Sequence, residues 1–198
     1  GDTVKAGQVI ASNKGFVSVN IHSSVSGKVN KVDTIVDTSG YKQTAVFIDV
    51  NGDEWLETID RSDELITEIK LSSEEIIKKC QESGIVGLGG ATFPSHVKLT
   101  VPAGKKCDVL IINGVECEPY LTSDHRLMLE YGREVLTGVS ILMKALKVNR
   151  ALIGIESKKR DAIEHLKGLA VNYQGIEICP LKVKYPQGAE KQLIKALI

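Results

Sequence analysis

The sequence predicts an α/β protein in two parts, a small β-rich front domain and a larger, mainly parallel α/β domain behind it. Three observations carry this expectation. Residues up to about Trp55 show short apolar alternations of period two broken by glycines; from Ser72 the apolar period becomes helical; and from Asp108 strand-length apolar runs alternate with helical ones.

In the front segment, Phe16, Val17, Val19 and Ile21 give the alternation, and Gly7, Gly15, Gly27, Gly40 and Gly52 punctuate it as turns. The charged stretch from Asp60 to Ser72 separates the two periodicities, so the domains are placed at 1–60 and 61–198. Ser72 with Glu75 fits a capping box, Ile76, Ile77 and Cys80 form one apolar face, and Gly84 offers a stop, which predicts a helix over 73–83. Asp108-Val-Leu-Ile-Ile-Asn113 reads as a strand covered on both faces, with Asn113 at its carboxyl end. Val135, Leu136, Val139, Leu142, Met143 and Leu146 predict a helix over 133–147, followed by a strand over 151–155. A helix near 159–171 and a strand near 176–183 repeat the pattern. Such alternation implies a Rossmann-like, mainly parallel sheet that binds ligands beyond the carboxyl ends of its strands. Asn113 and Glu156 both follow strand runs and so fall on that rim.

Composition narrows the function classes. Twenty-five basic residues balance twenty-five acidic ones, and no Lys/Arg cluster is interleaved with aromatics, which argues against nucleic-acid binding. Apolar runs such as Val109–Ile112 fall far short of the roughly 20 residues that a membrane-spanning helix needs. Cys80, Cys107, Cys117 and Cys179 are widely spaced, without the close pairs of zinc or iron–sulfur sites, and read as reduced, cytosolic thiols. No metal site is expected in the chain itself.

Two segments carry the chemistry. Gly84-Ile-Val-Gly87-Leu-Gly89-Gly90-Ala-Thr-Phe93-Pro-Ser-His96-Val-Lys98 has the glycines that let backbone N–H groups approach a phosphate or a flat ring, and Lys98 adds a point charge. It follows a helix rather than a strand, and Thr92 stands at the third glycine of the dinucleotide fingerprint, so that motif is rejected; no Gly-Lys-Ser/Thr triplet makes it a Walker loop. A plain turn is the alternative reading. Asn113-Gly-Val-Glu116-Cys-Glu118-Pro-Tyr120 puts an amide and two carboxylates at a strand end, suited to a heterocycle or a ribose. Its alternative is an acidic turn that caps the next helix. Carboxylates two residues apart in one turn do not flank a scissile bond, so hydrolysis is set aside.

Together, Gly87-Leu-Gly89-Gly90-Ala-Thr-Phe-Pro and Asn113-Gly-Val-Glu-Cys-Glu-Pro-Tyr resemble the RnfC family of the Rnf electron transport complex and, more distantly, the flavin-bearing, NADH-oxidising subunit of respiratory complex I. The resemblance extends through Leu121–Glu130, Ile153-Gly-Ile-Glu156 and Tyr185-Pro-Gln-Gly-Ala-Glu190, across nearly the whole chain. It implies FMN against Gly87, Gly89, Gly90, Lys98, Asn113 and Glu116, and NADH beside Phe93, Glu118 and Glu156. Hydride would pass from NADH to FMN, with backbone donors stabilising charge on the reduced ring and no catalytic side chain required. The resemblance further implies other Rnf subunits and ferredoxin as partners, peripheral attachment at the cytoplasmic side of the bacterial inner membrane, and two 4Fe-4S clusters in the parent protein but outside this chain. The sequence departs from the complex I pattern at Val115, where that pattern has Asp, and at Tyr120 and His96, where it has Gly.

The front, Gly1-Asp-x-Val-x-x-Gly-Gln with Ser23-Ser-Val-Ser-Gly27-Lys-Val, resembles the barrel-sandwich fold of biotinyl and lipoyl domains. Lys14 lacks the surroundings of a modified carrier lysine, so a docking module is expected instead. Because the chain opens within a strand-and-turn pattern and closes within a predicted helix, it is expected to be cut at both ends. A scaffold subunit that keeps the fold without a cofactor is the alternative function.

Overall fold

A computed structural model describes residues 1–88 and 91–198. It is a mixed α/β structure whose contacts divide into two compact units, residues 1–64 with 78–97, and residues 65–77 with 98–198.

The first unit begins with short strands β1 (Thr3–Val4), β2 (Val9–Ala11) and β3 (Ile21–His22), then a long hairpin of β4 (Gly27–Val36) and β5 (Lys42–Val50). The strands pair antiparallel in two sheets, β1-β4-β5 and β2-β3. Asp37 shapes the hairpin turn by accepting N–H bonds from Ser39 and Tyr41 on its carboxylate, while Gly40 takes φ +82°. Within residues 1–64 the buried side chains are few and small, including Val4, Ala6, Ser23 and Ser26. Ser26 Oγ compensates for its burial by donating to Asn51 O and accepting from Glu54 N.

Helix α1 (Ser73–Glu82) starts with the expected reciprocal capping box: Ser72 N donates to Glu75 Oε2 at 2.8 Å and Glu75 N to Ser72 Oγ at 3.3 Å. It stops at Gly84, φ +68°, where Ile85 N returns to Cys80 O. A five-residue helix α2 (Ser95–Leu99) follows.

The second unit contains β6 (Leu110–Gly114), α3 (Ser123–Glu130), α4 (Gly132–Leu146), β7 (Ala151–Glu156), α5 (Arg160–Ala170), β8 (Ile176–Leu181) and α6 (Glu190–Leu197). The strands are parallel in the order β6-β7-β8. The predicted strand at 108–113 is therefore an edge, only half-buried, and the strand buried along its whole length is β7. One face of the sheet, with Ala151, Ile153 and Ile155, packs on Met128, Leu136, Val139, Met143 and Leu166 from α3, α4 and α5. Burying a side chain such as Leu136 or Leu166 completely is worth about 1.5–3 kcal/mol. On the opposite face Val115 and Leu181 pack on Leu193 of α6. Gly154 makes room there, since a Cβ would lie 2.8 Å from Leu193 Cδ1 and 2.9 Å from Leu181 Cδ1. Among the described residues no helix is long and apolar enough to cross a membrane.

Candidate functional site

The parallel register aligns Asn113 with Gly154 and Glu156 with Leu181, which puts Asn113 and Glu156 at the carboxyl ends of β6 and β7. Alternation along β6 sends Leu110 and Ile112 into the helical core and leaves Ile111 packed towards α6. On the α6 side an open hollow of about 730 Å³ is lined by Lys98, Ile111, Asn113, Gly188, Glu190 and Leu193, among others. Lys98 and Asn113, far apart in sequence, thus converge on one hollow.

Asn113 also ties two loops together. Its Nδ2 donates to Gly188 O at 2.9 Å, and its Oδ1 accepts from Val115 N at 3.1 Å. Gly188 N donates to Cys117 Sγ at 3.0 Å, so the Tyr185–Glu190 segment is fastened along the Asn113–Cys117 turn. A Cβ on Gly188 would sit 3.3 Å from both Cys117 Sγ and Val115 O, which a glycine avoids. A primary amide retains a second N–H and a second lone pair beyond these two bonds.

Glu116 points into the protein, with 5% of its surface exposed. Its carboxylate accepts from Asp124 N at 2.7 Å, His125 N at 3.2 Å and Ser123 Oγ at 3.4 Å, and from the Lys159 ammonium. It therefore supplies the N-terminal cap of α3, which Thr122 does not. Burial pushes the carboxyl pKa up, but Lys159 and the Asp124 and His125 N–H groups outweigh it and hold the group below its ordinary range. Burial and the neighbouring Glu116 charge push Asp124 up. Lys159 is itself 5% exposed, so the pair is buried on both sides.

Glu156 is 1% exposed, and its Oε2 lies 3.0 Å from Lys158 Nζ. Glu118 is exposed, and Tyr120, φ +68°, is fully exposed beside it. Gly87 and Phe93 belong to the first unit, where Gly87 N donates to Phe93 O at 2.9 Å and closes a loop. Gly89 and Gly90 lie outside the described residues. The sequence reading missed Lys159, whose only signal was its place at the start of a predicted helix, and the clasp between Cys117 and Gly188.

The residues present suit a flavin mononucleotide. The hollow falls within the roughly 300–1,000 Å³ of small-molecule sites and combines a cation for a phosphate, an amide for polar ring edges and the apolar Ile111 and Leu193 for a ring face.

Comparison with known proteins agrees with this chemistry. The family model described as the Nuo51 FMN-binding domain matches residues 80–198, and the model of the RnfC barrel sandwich hybrid domain matches residues 1–53. The chain is 47% identical, over its whole length, to the C subunit of the Na(+)-translocating ferredoxin:NAD(+) oxidoreductase complex of Acetobacterium woodii, of which it covers 44%. It is 48% identical, again over its whole length, to the C subunit of the proton-translocating ferredoxin:NAD(+) oxidoreductase complex of Clostridium ljungdahlii, covering 42% of it. To the C subunit of the ion-translocating oxidoreductase complex of Rhodobacter capsulatus it is 40% identical over 99% of the chain and 38% of the relative. The chain thus spans less than half the length of these relatives. Among solved structures, an NAD+-reducing NiFe-hydrogenase in the air-oxidised state superposes with a TM-score of 0.56 at 24% identity, over 64% of this chain and 24% of that one, a likeness of fold. The chain is therefore a member of the Nuo51 FMN-binding domain family, of the RnfC type that places a barrel sandwich hybrid domain in front.

Proposed function

We propose that the chain is the flavin-binding front portion of an RnfC protein in an ion-translocating ferredoxin:NAD+ oxidoreductase complex, exchanging electrons with NAD(H) through FMN. The observation that carries this reading is the convergence of Lys98 and Asn113 on one hollow that runs along β6, between that strand and α6, in a domain of the FMN-binding family. Held by these residues, FMN would supply the redox chemistry between the two-electron carrier NADH and one-electron acceptors. Lys98 pairs with the phosphate, and the spare amide capacity of Asn113 meets a polar edge of the flavin. Gly87, Gly89 and Gly90 offer backbone N–H groups, while Phe93, Glu118 and Glu156 serve the nicotinamide nucleotide. Glu116 serves the flavin by fixing the Asn113–Glu118 turn, because its acceptor sites already hold four donors.

The α/β part, taken as 61–198, is read as Rossmann-like and the β-rich part, taken as 1–60, as a docking module. Two 4Fe-4S clusters outside this chain would take the electrons onward, with ferredoxin and the other Rnf subunits as partners. The complex belongs to the bacterial inner membrane, with this subunit peripheral at its cytoplasmic side.

A scaffold role is the second reading, favoured by the engagement of Glu116 and Asn113 with protein partners. An anaerobic absorption spectrum of the full-length subunit separates the two. Flavin bands that bleach on adding NADH are expected; a colourless, NADH-inert protein supports the scaffold.

A further inference from the structure

Within the first unit, the loop joining β2 to β3 grips both ends of the segment that carries the glycine run. At the entry, Asn20 Nδ2 donates to Glu82 O at 3.2 Å, and a Cβ on Gly84 would stand 2.6 Å from Asn20 O and 3.3 Å from His22 Nδ1. That approach admits only a glycine. At the exit, His96, 1% exposed, places its Nε2 2.7 Å from Phe16 O. A carbonyl only accepts, so Nε2 carries the proton. The Phe16 and His96 rings meet edge to face with centroids 5.7 Å apart. The loop is itself braced by Asn13 N donating to Asn20 Oδ1 at 3.1 Å.

Between these two grips lies a narrow neck. Ser95 N donates to Ile85 O at 3.0 Å, Val86 and Pro94 form an antiparallel bridge, and Gly87 N donates to Phe93 O. Gly87 and Phe93 therefore face each other beyond a neck whose two ends touch the β2–β3 connection.

We infer that His96 is a positioning residue through which the β-rich front of this chain sets the glycine loop for its ligand, so that this front is part of the binding apparatus as well as a docking module. The inference rests on the reading of the glycine loop as a flavin site. His96 touches no reacting atom; it acts through Ser95, Pro94 and the Gly87–Phe93 closure.

The test compares His96→Leu, which fills the space without a donor, with His96→Gln, which restores one, in the full-length subunit. Hydrogen exchange of the Gly87 and Ser95 amides reads loop closure directly, and flavin absorbance with the KM for NADH reads its consequence. His96→Leu is expected to speed exchange at those amides by roughly fivefold to tenfold, the scale of one lost hydrogen bond. It should also lower flavin occupancy and raise KM more than it lowers kcat, and His96→Gln should recover most of each effect. Exchange in His96→Leu equal to that of the parent overturns the inference. Faster exchange with unchanged flavin occupancy and KM overturns the flavin assignment of the loop instead. Should His96→Leu fail to fold, Asn20→Ala loosens the opposite grip, and unchanged exchange there likewise overturns the inference.

Discussion

Lys159, at the residue before α5, forms a buried ion pair with Glu116, whose carboxylate also caps α3. One carboxylate therefore joins the β6 turn to the starts of two helices. Replacing Lys159 with Met leaves that charge buried without its cation, and removing one partner of a buried pair costs about 3–5 kcal/mol. Chemical denaturation should show this loss, and the double variant Lys159→Met/Glu116→Gln should recover part of it. A double variant as unstable as the sum of the two single ones would mean that the pair is not coupled.

The same carboxylate makes stability depend on acid. Its folded pKa is lowered from the ordinary value of 4.5, so the unfolded chain binds the proton more readily. The contribution is complete above the unfolded value and is lost as pH falls through the lowered folded value. Asp124 works in the opposite sense: raised in the folded state, it gains relative stability as pH falls through its raised value. Denaturation midpoints followed from pH 7 down to about pH 3 should fall for the parent chain and fall less steeply for Glu116→Gln.

Gly84 combines a left-handed backbone with a carbonyl directly against its α-carbon. Ala at this position meets about 1–2 kcal/mol of left-handed strain, and its Cβ would also press on Asn20 O. Gly84→Ala should lower the melting temperature and expose the Ile85–Ser95 segment to proteolysis, whereas Gly104→Ala, also at positive φ but with open space around it, should show the strain alone.

How much of this was legible in the sequence depends on the range of the interaction. The capping box at Ser72 and Glu75 spans three residues, and the glycine stop at Gly84 follows the apolar face it ends, so local pattern sufficed for α1. The strand–helix alternation behind Asp108 likewise announced a parallel sheet, and Asn113 stands near the carboxyl end of β6 as expected. The cap of α3 was only half legible: an acidic turn capping the next helix was an open reading of Glu116 and Glu118, but the cap reaches from Glu116 across to Asp124 and His125, and its cation comes from Lys159. No local spacing encodes that cation. The edge position of β6 was hidden for a related reason, since a short apolar run such as Val109–Ile112 reads the same at the edge of a sheet as at its centre. The ligand proposed for the hollow was legible only through the family resemblance.

The proposed flavin site assigns Lys98 to the phosphate end of the ligand and Asn113 to its ring. A charge-assisted bond is worth about 1.5–3 kcal/mol, so Lys98→Met should weaken FMN binding to the full-length subunit by roughly ten- to a hundredfold. Riboflavin lacks the phosphate, so the same substitution should leave its affinity nearly unchanged. Asn113→Leu should weaken both flavins alike, because it removes the amide assigned to the ring and also releases Gly188 from the β6 turn. Fluorescence titration of FMN and riboflavin against the parent and the two variants makes the comparison. Equal losses for both flavins in Lys98→Met would remove Lys98 from the phosphate, and a hollow lined by Lys98 and Asn113 would then have to hold a flavin in some other orientation.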